Sequence, residues 1–198
     1  LKIVHEEVLI SVGNFPRTEE GICVLEEVRE ATAAVVWPPG SSTFSINPVR
    51  KRNGVKPIKE GCMIVLREKF GWSTESPILI RSSERPGKVD ALRKTSAGDF
   101  VVEWETGNIS SSHRALNKIT LGLVRRVIAG GVLILPTRPL YQYLTDRVGN
   151  YEELRPYFPV WKNIPVEHGF LLIIAVEHDA IDSNVPFIQK GTDGRALV

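Results

Sequence analysis

The sequence predicts an α/β fold: a central mixed β-sheet flanked by helices on both sides. Three observations carry this expectation. Several short apolar runs have strand character, and the two near 131–135 and 170–176 are apolar enough to be central and buried. Segments with helical spacing alternate with those runs along the chain. The 198 residues, 42% of them hydrophobic, suffice for one ordinary core.

The elements follow in order. Ile22, Leu25, Val28 and Val35 lie at helical spacing within 18–36, and Pro38-Pro39-Gly40 stops the run, so a helix ending near Trp37 is expected with its glutamates toward water. Pro57 suits a first turn and opens a second stripe of Ile58, Cys62, Val65 and Leu66. Strands are expected at 77–80, 89–92 and 100–106. Ser110 or Ser111 is placed to cap a helix running to about Ile128. The buried strands come next, with shorter helices at 137–145 and 151–155 between them. From Asp182 the chain is rich in Ser, Asn, Gly and Lys, which predicts a C-terminal arm over 182–198 with little regular structure, attached to a single domain spanning 1–198.

Composition narrows the function. The longest apolar stretch, 127–135, is about half of what a membrane helix needs, and the start LKIVHEE lacks a signal-peptide core. A cytoplasmic protein with no membrane partner is expected. Cys23 and Cys62 stand without a CxxC pair or clustered His, so neither a disulfide scaffold nor a zinc site is indicated, and both thiols are expected to be buried and inert. The formal net charge is only +2, which on its face speaks against nucleic acid. The distribution reverses that inference. Positive charge is concentrated in 48–69, including RKRNGVKPIK, and in 111–150, which holds Arg114, Lys118, Arg125, Arg126, Arg138 and Arg147, while both ends are acidic. The two basic stretches could form one face, so near-neutrality does not exclude a polyanion. Solvated helix faces paired locally with acids would give the same totals.

The informative stretch is VDALRKTSAGDFVVEWETGN, 89–108. Thr95, Ser96, Ala97 and Gly98 are turn residues between two strand-like runs, so Asp90 and Glu103 can lie on adjacent strands of a hairpin. On the second strand Val101, Glu103 and Glu105 then point to one face, and Phe100, Val102 and Trp104 to the other. Carboxylates set side by side repel, and without a counter-ion one of them must take up a proton. A divalent cation removes the conflict. Sites built only of oxygens suit Mg²⁺ or Mn²⁺, whose task with phosphate esters is to generate hydroxide and stabilise the departing oxygen. An exposed acidic strand face would carry the same short pattern. Directly after the acids, Asn108, Ser110 and Arg114 sit at a helix start, with side chains suited to adenine, to any base and to guanine respectively; Asp146-Arg147 repeats the theme for cytosine and guanine. Taken singly, each is equally a cap or a surface ion pair.

The blocks TFSIN and NGVKPIKEGC, then EWETGNISSSHRALNK, YLTDRVGNYEELRPYF and SNVPFIQKGTDG, in this order over 43–194, closely resemble the BamHI-like type II restriction endonucleases of the PD-(D/E)xK superfamily. The resemblance implies a restriction-endonuclease-like fold. It implies Asp90, Glu103 and Glu75 as metal ligands, with the Trp104 carbonyl as a main-chain ligand, and two Mg²⁺ ions per site that Mn²⁺ can replace. Glu105, where most of the superfamily has lysine, would orient or deprotonate the attacking water. Asn108, Ser110, Arg114, Asp146 and Arg147 match positions that read bases in the major groove, and Asp193 and Gly194 match a tail that reaches the minor groove. Lys59 and the run Arg50, Lys51, Arg52 are better suited to phosphate contacts, which position without specifying. The resemblance further implies a homodimer on double-stranded DNA, a palindrome GGATCC cut to leave 5′ overhangs with 5′-phosphates, and a cognate DNA methyltransferase in the host. Two departures stand out. Val89 replaces the motif proline, which shapes backbone and binds no metal. Intersubunit ion-pair positions of the family fall on Val124, Arg125 and Pro159, so more apolar dimer contacts are expected. A DNA-binding protein of the same fold that does not cut is the second reading. A glycosidase is a third, and nothing in the sequence supplies its aromatic sugar platforms.

Overall fold

The computed structural model describes residues 1–78, 87–145 and 148–191. Its main sheet is built from β1 (Lys2–Val12), β3 (Ser73–Pro77), β4 (Lys88–Thr95), β5 (Gly98–Trp104), β6 (Ile128–Pro136) and β7 (Gly169–Glu177), in the order β1-β7-β6-β5-β4-β3. The β5–β6 and β6–β7 pairs are parallel, and the outer pairs are antiparallel. The sheet is therefore mixed, as expected. A separate parallel pair joins β2 (Ser45–Ile46) to β8 (Ala180–Ile181).

Helices cover both faces, and alternation along the strands decides which side chain meets which layer. On one face α1 (Glu19–Ala33) and α2 (Lys56–Phe70) bury Val24, Val28, Ile58 and Leu66 together with Phe100, Val102 and Trp104 of β5. On the other, α3 (Ile109–Val124), α5 (Tyr151–Leu154) and α6 (Phe158–Lys162) bury Leu116, Ile119, Leu154 and Trp161 with Val101, Leu133 and Ile173. The short α4 (Arg138–Tyr141) follows β6. Strands β6 and β7 are buried on both faces, which is why they read as continuous apolar runs.

Gly131 lets α3 come close to β6. A Cβ there would lie 2.7 Å from Ile119 Cγ2 and 2.9 Å from Val101 Cγ2. Gly131→Ala is expected to cost about 1–3 kcal/mol by overpacking, measured as a lowered urea midpoint with an unchanged slope. A midpoint equal to wild type would mean that this helix is free to shift outward.

Several elements differ from the sequence reading, each for a physical reason. The edge strand β1 was not anticipated, because bulges between Ile3 and His5 and between Val8 and Ile10 break its alternation and bury the adjacent Leu9 and Ile10. The strand expected at 77–80 lies upstream as β3, whose sequence STESP carries no apolar signal because it is an edge; positions 79–80 fall outside the described residues. The first helix stops at Ala33, and α3 stops at Val124 rather than near Ile128, with Arg126 in the left-handed region at φ 57°. Asn108, and neither Ser110 nor Ser111, caps α3: its side chain accepts from the Ser111 N–H at 3.2 Å. Cys62 is buried, but Cys23 is exposed on the outer face of α1. The segment after β8 runs without helix or strand to Gly191, yet it is anchored: Gly54 N donates to the Ile188 carbonyl at 2.8 Å, Ile188 N donates to Asn53 Oδ1 at 3.2 Å, and the Ile188 side chain is buried. Among the described residues no helix is long and apolar enough to cross a membrane.

Candidate active site

The β4–β5 hairpin sets the acids. Its register pairs Leu92 with Val101 and Ala91 with Val102, so the next step along the ladder sets Asp90 beside Glu103. On the other side of β4, the pairs Thr74 with Ala91 and Ser76 with Val89 bracket Glu75 against Asp90. Glu75, Asp90 and Glu103 thus form one row across three adjacent strands. Glu75 holds a left-handed backbone at φ 50°, an unfavourable conformation for a residue with a side chain, and strain of that kind gathers at functional sites. Glu105 lies one step past β5, where its N–H still bonds the Ile134 carbonyl at 2.8 Å.

The expected conflict between these carboxylates is met within the chain by lysines. Lys59 of α2 binds Asp90 Oδ1 and lies 3.8 Å from Glu75, while Asp90 Oδ2 accepts the Trp104 N–H at 2.7 Å. Lys118 of α3 binds Glu103 and also donates to the Lys88 carbonyl. Glu105 accepts from the Gly107 N–H and from the fully buried Ser112 hydroxyl. Burial pushes the Glu103 carboxyl up to about 7, against the opposing pull of Lys118. Burial also raises Glu105, opposed by the Ser112 hydroxyl and the backbone N–H of Gly107. Among the described residues no three acidic, His or Cys side chains converge closely enough to enclose a metal as they stand. The donor chemistry nevertheless fits a hard divalent cation: Asp90 and Glu103 offer carboxylate oxygens at positions that already accommodate a positive charge each, and Glu75 is a neighbouring, largely exposed carboxylate.

Asp90, Glu103, Glu105, Lys59 and Lys118 line a cleft of about 470 Å³. Its walls join the two basic stretches of the sequence, since Lys56 and Lys59 come from the first and Arg114 and Lys118 from the second. At its mouth lies the N-terminal turn of α3, where Asn108, Ser110 and Arg114 are exposed. The cap uses only the Asn108 oxygen, so its amide nitrogen is not consumed by the helix. Arg50, Lys51 and Arg52 lie on an exposed loop that does not line the cleft; Arg52 stacks over Phe187 at 5.3 Å. Lys59 is also placed differently from a simple phosphate contact, because it sits among the acids. Asp146, Arg147, Asp193 and Gly194 lie outside the described residues, although Thr145 and Gly191 line the cleft. His113 packs its ring against Tyr157 and Trp161, away from the acids, in keeping with a packing role.

Sequence reasoning missed Lys118, counted only as part of a basic stretch, and Ser112. The signal for Lys118 was present: Ser111, Arg114 and Lys118 recur at i, i+3 and i+7 and form the polar stripe of α3 that faces the cleft. Ser112 gave none, because a single serine on the apolar side of a helix has no periodic signature.

Comparison with known proteins places this geometry in a family. The family model described as restriction endonuclease BamHI matches residues 1–195. The type II restriction enzyme OkrAI of Oceanobacter kriegii is 52% identical over 198 residues, covering the whole of both chains. The type II restriction enzyme BamHI of Bacillus amyloliquefaciens is 39% identical over 175 residues, covering 85% of this chain and 80% of the relative. Among solved structures, restriction endonuclease BglII in complex with a DNA 16-mer superposes with a TM-score of 0.58 at 11% identity, covering 89% of this chain and 79% of that one, which supports the fold. A row of acids on a mixed sheet, a cleft walled by lysines, and a match along essentially its whole length make this chain a member of the BamHI family of type II restriction endonucleases.

Proposed function

We propose that this enzyme is Mg²⁺-dependent and hydrolyses phosphodiester bonds of double-stranded DNA at the palindrome GGATCC, leaving 5′ overhangs with 5′-phosphate ends. The observation that carries the reading is the row Glu75, Asp90, Glu103, of which Asp90 and Glu103 line a cationic cleft that also holds Arg114 of α3, the helix whose exposed start bears Asn108 and Ser110. The choice of site is the one that the resemblance to the BamHI family implies.

Asp90, Glu103, Glu75 and the Trp104 carbonyl would hold the metal, two ions per site, with Mn²⁺ able to substitute. When bound, Mg²⁺ supplies a water acidic enough to attack phosphorus at neutral pH and compensates charge on the departing oxygen. Glu105 would orient or deprotonate the attacking water, with its carboxylate held by the Ser112 hydroxyl. Asn108, Ser110, Arg114, Asp146 and Arg147 read base edges in the major groove, where bidentate Arg–guanine and Asn–adenine pairs discriminate best. Asp193 and Gly194 reach the minor groove from the arm 182–198 of a single domain. Arg50, Lys51 and Arg52 would contact phosphates outside the cleft, whereas Lys59, engaged with Asp90, is not a simple phosphate contact.

One chain carries one set of acids and must cut two strands, so a two-fold homodimer on a two-fold site is the simplest assembly. Its surface is expected to include Val124, Tyr157 and Val160, which expose about half or more of their area on α3 and beside α6. The enzyme acts in the cytoplasm, where a cognate methyltransferase protects the host DNA.

The test is incubation with plasmid DNA. Discrete fragments in Mg²⁺ and intact plasmid in chelator support the reading; intact plasmid in both, with a retarded complex on a gel, would instead mark a binder that does not cut. For recognition, Arg147→Ala is expected to lose about 1–3 kcal/mol of discrimination at one G·C pair, read as faster relative cutting of sites altered at that pair. Selectivity equal to wild type at every G·C position would remove Arg147 from the set of base readers.

A further inference from the structure

Each of the two central acids is occupied by an ammonium group from a different helix. Lys59 comes from α2 to Asp90, and Lys118 comes from α3 to Glu103. The Lys118 and Glu103 side chains are each only 10% exposed, so their pairing is largely removed from solvent, where the mutual attraction of two charges is strong. The Lys118 ammonium has a second partner in the Lys88 carbonyl. A divalent cation that approaches the Glu103 carboxylate meets the ammonium already bound at Oε1, and the two positive charges repel across a poorly solvated site.

We propose that Lys118 is the internal counter-ion of the metal-free enzyme, a positioning residue that holds the Glu103 carboxylate in place and competes with the divalent cation for it. The inference rests on reading Asp90 and Glu103 as metal ligands. It explains how like charges on one row can coexist in a folded chain before metal arrives. It also gives the ammonium a place to remain when it yields the carboxylate, since the Lys88 carbonyl is main chain and takes no part in the metal site. The free enzyme then holds metal weakly, and its affinity is set by a lysine that sequence reasoning leaves among surface charges.

The test is a titration of the free protein with Mn²⁺, without DNA, followed by the electron paramagnetic resonance signal of unbound ion. Wild type is compared with Lys118→Met, Lys118→Gln, Lys118→Arg and Glu103→Gln. The two neutral replacements are expected to tighten Mn²⁺ binding by about tenfold or more, because a nearby positive charge is removed from a poorly solvated site. Lys118→Arg retains the charge and should stay within about twofold of wild type. Glu103→Gln should weaken binding. Two neutral variants are used so that a folding defect in one, seen by circular dichroism, leaves the other to decide. Mn²⁺ affinity in the folded neutral variants no tighter than wild type would overturn the counter-ion role. An unchanged affinity in Glu103→Gln would overturn the metal-ligand reading itself, so the two failures are distinguishable.

Discussion

Glu103→Ala is expected to abolish cutting while leaving specific DNA binding within a few-fold of wild type. The substitution removes a carboxylate from one end of the acidic row and touches none of the exposed side chains at the α3 turn. Charge stabilisation by a metal site is worth several kcal/mol in the transition state, so a loss of at least about a thousandfold in single-turnover rate is expected. Binding should persist because the affinity of such proteins comes from phosphate and base contacts. The substitution leaves the Lys118 ammonium with only the Lys88 carbonyl, so circular dichroism is used to establish that the variant is folded before cutting is compared. The check is a pair of measurements on one duplex containing GGATCC, cleavage in Mg²⁺ and gel retardation in chelator. A variant that cuts at the wild-type rate would sink the metal assignment.

The second large effect concerns Glu105. Glu105→Gln keeps size but offers one acceptor oxygen where the carboxylate accepts from both the Gly107 N–H and the Ser112 hydroxyl, and it cannot take up a proton; in the role of base proposed for Glu105, that loss costs about a hundredfold to ten-thousandfold. Ser112→Ala is the graded companion. It removes the buried hydroxyl that bonds Glu105, and loss of such an orienting partner costs about tenfold to a hundredfold. The pH profile separates a positioning effect from a packing defect. The Ser112 bond pulls the Glu105 carboxyl down against the upward push of burial, so removing it raises that carboxyl further. In the role proposed for Glu105 the active form is the carboxylate, present above the pKa, so the acidic limb of the rate profile should move to higher pH in Ser112→Ala. A uniform rate loss with an unmoved limb would assign Ser112 to packing alone.

How much of this was legible in the sequence depends on where each signal originates. The hairpin that carries Asp90 and Glu103 was readable because small turn residues separate two runs with period-two alternation, and that alternation alone sorted Phe100, Val102 and Trp104 from Val101 and Glu103. The two buried central strands were readable from their unbroken apolar composition. Edge strands were not: β1 loses its period at two bulges, and β3, STESP, has no aliphatic or aromatic residue to offer. Asn108 was singled out for its amide, but its first task, capping α3, depends on a backbone geometry that composition does not reveal. The lysine partners were hidden for a different reason. Lys59 and Asp90 are 31 positions apart, and Lys118 and Glu103 are 15 apart, so the pairs exist only once α2 and α3 have packed on opposite faces of the sheet. Sequence reasoning anticipated an unresolved repulsion that a cation must cure; in the metal-free chain the fold itself supplies the cations.

The same packing accounts for the charge. A total of +2 is uninformative, but the fold brings Lys56, Lys59, Lys88, Arg114 and Lys118 around one cleft and leaves the acids of that cleft at its floor. Positive potential is thereby focused where a phosphate must enter, while the outer surface stays mixed in sign.

The central claim, a metal-dependent cut at one palindrome, is tested most directly by sequencing both strands at the ends of a plasmid digested in Mg²⁺. Every end is expected to fall within GGATCC, with a 5′ overhang and a 5′-phosphate. Ends at scattered sequences, or a 3′ overhang at any fixed site, would contradict it.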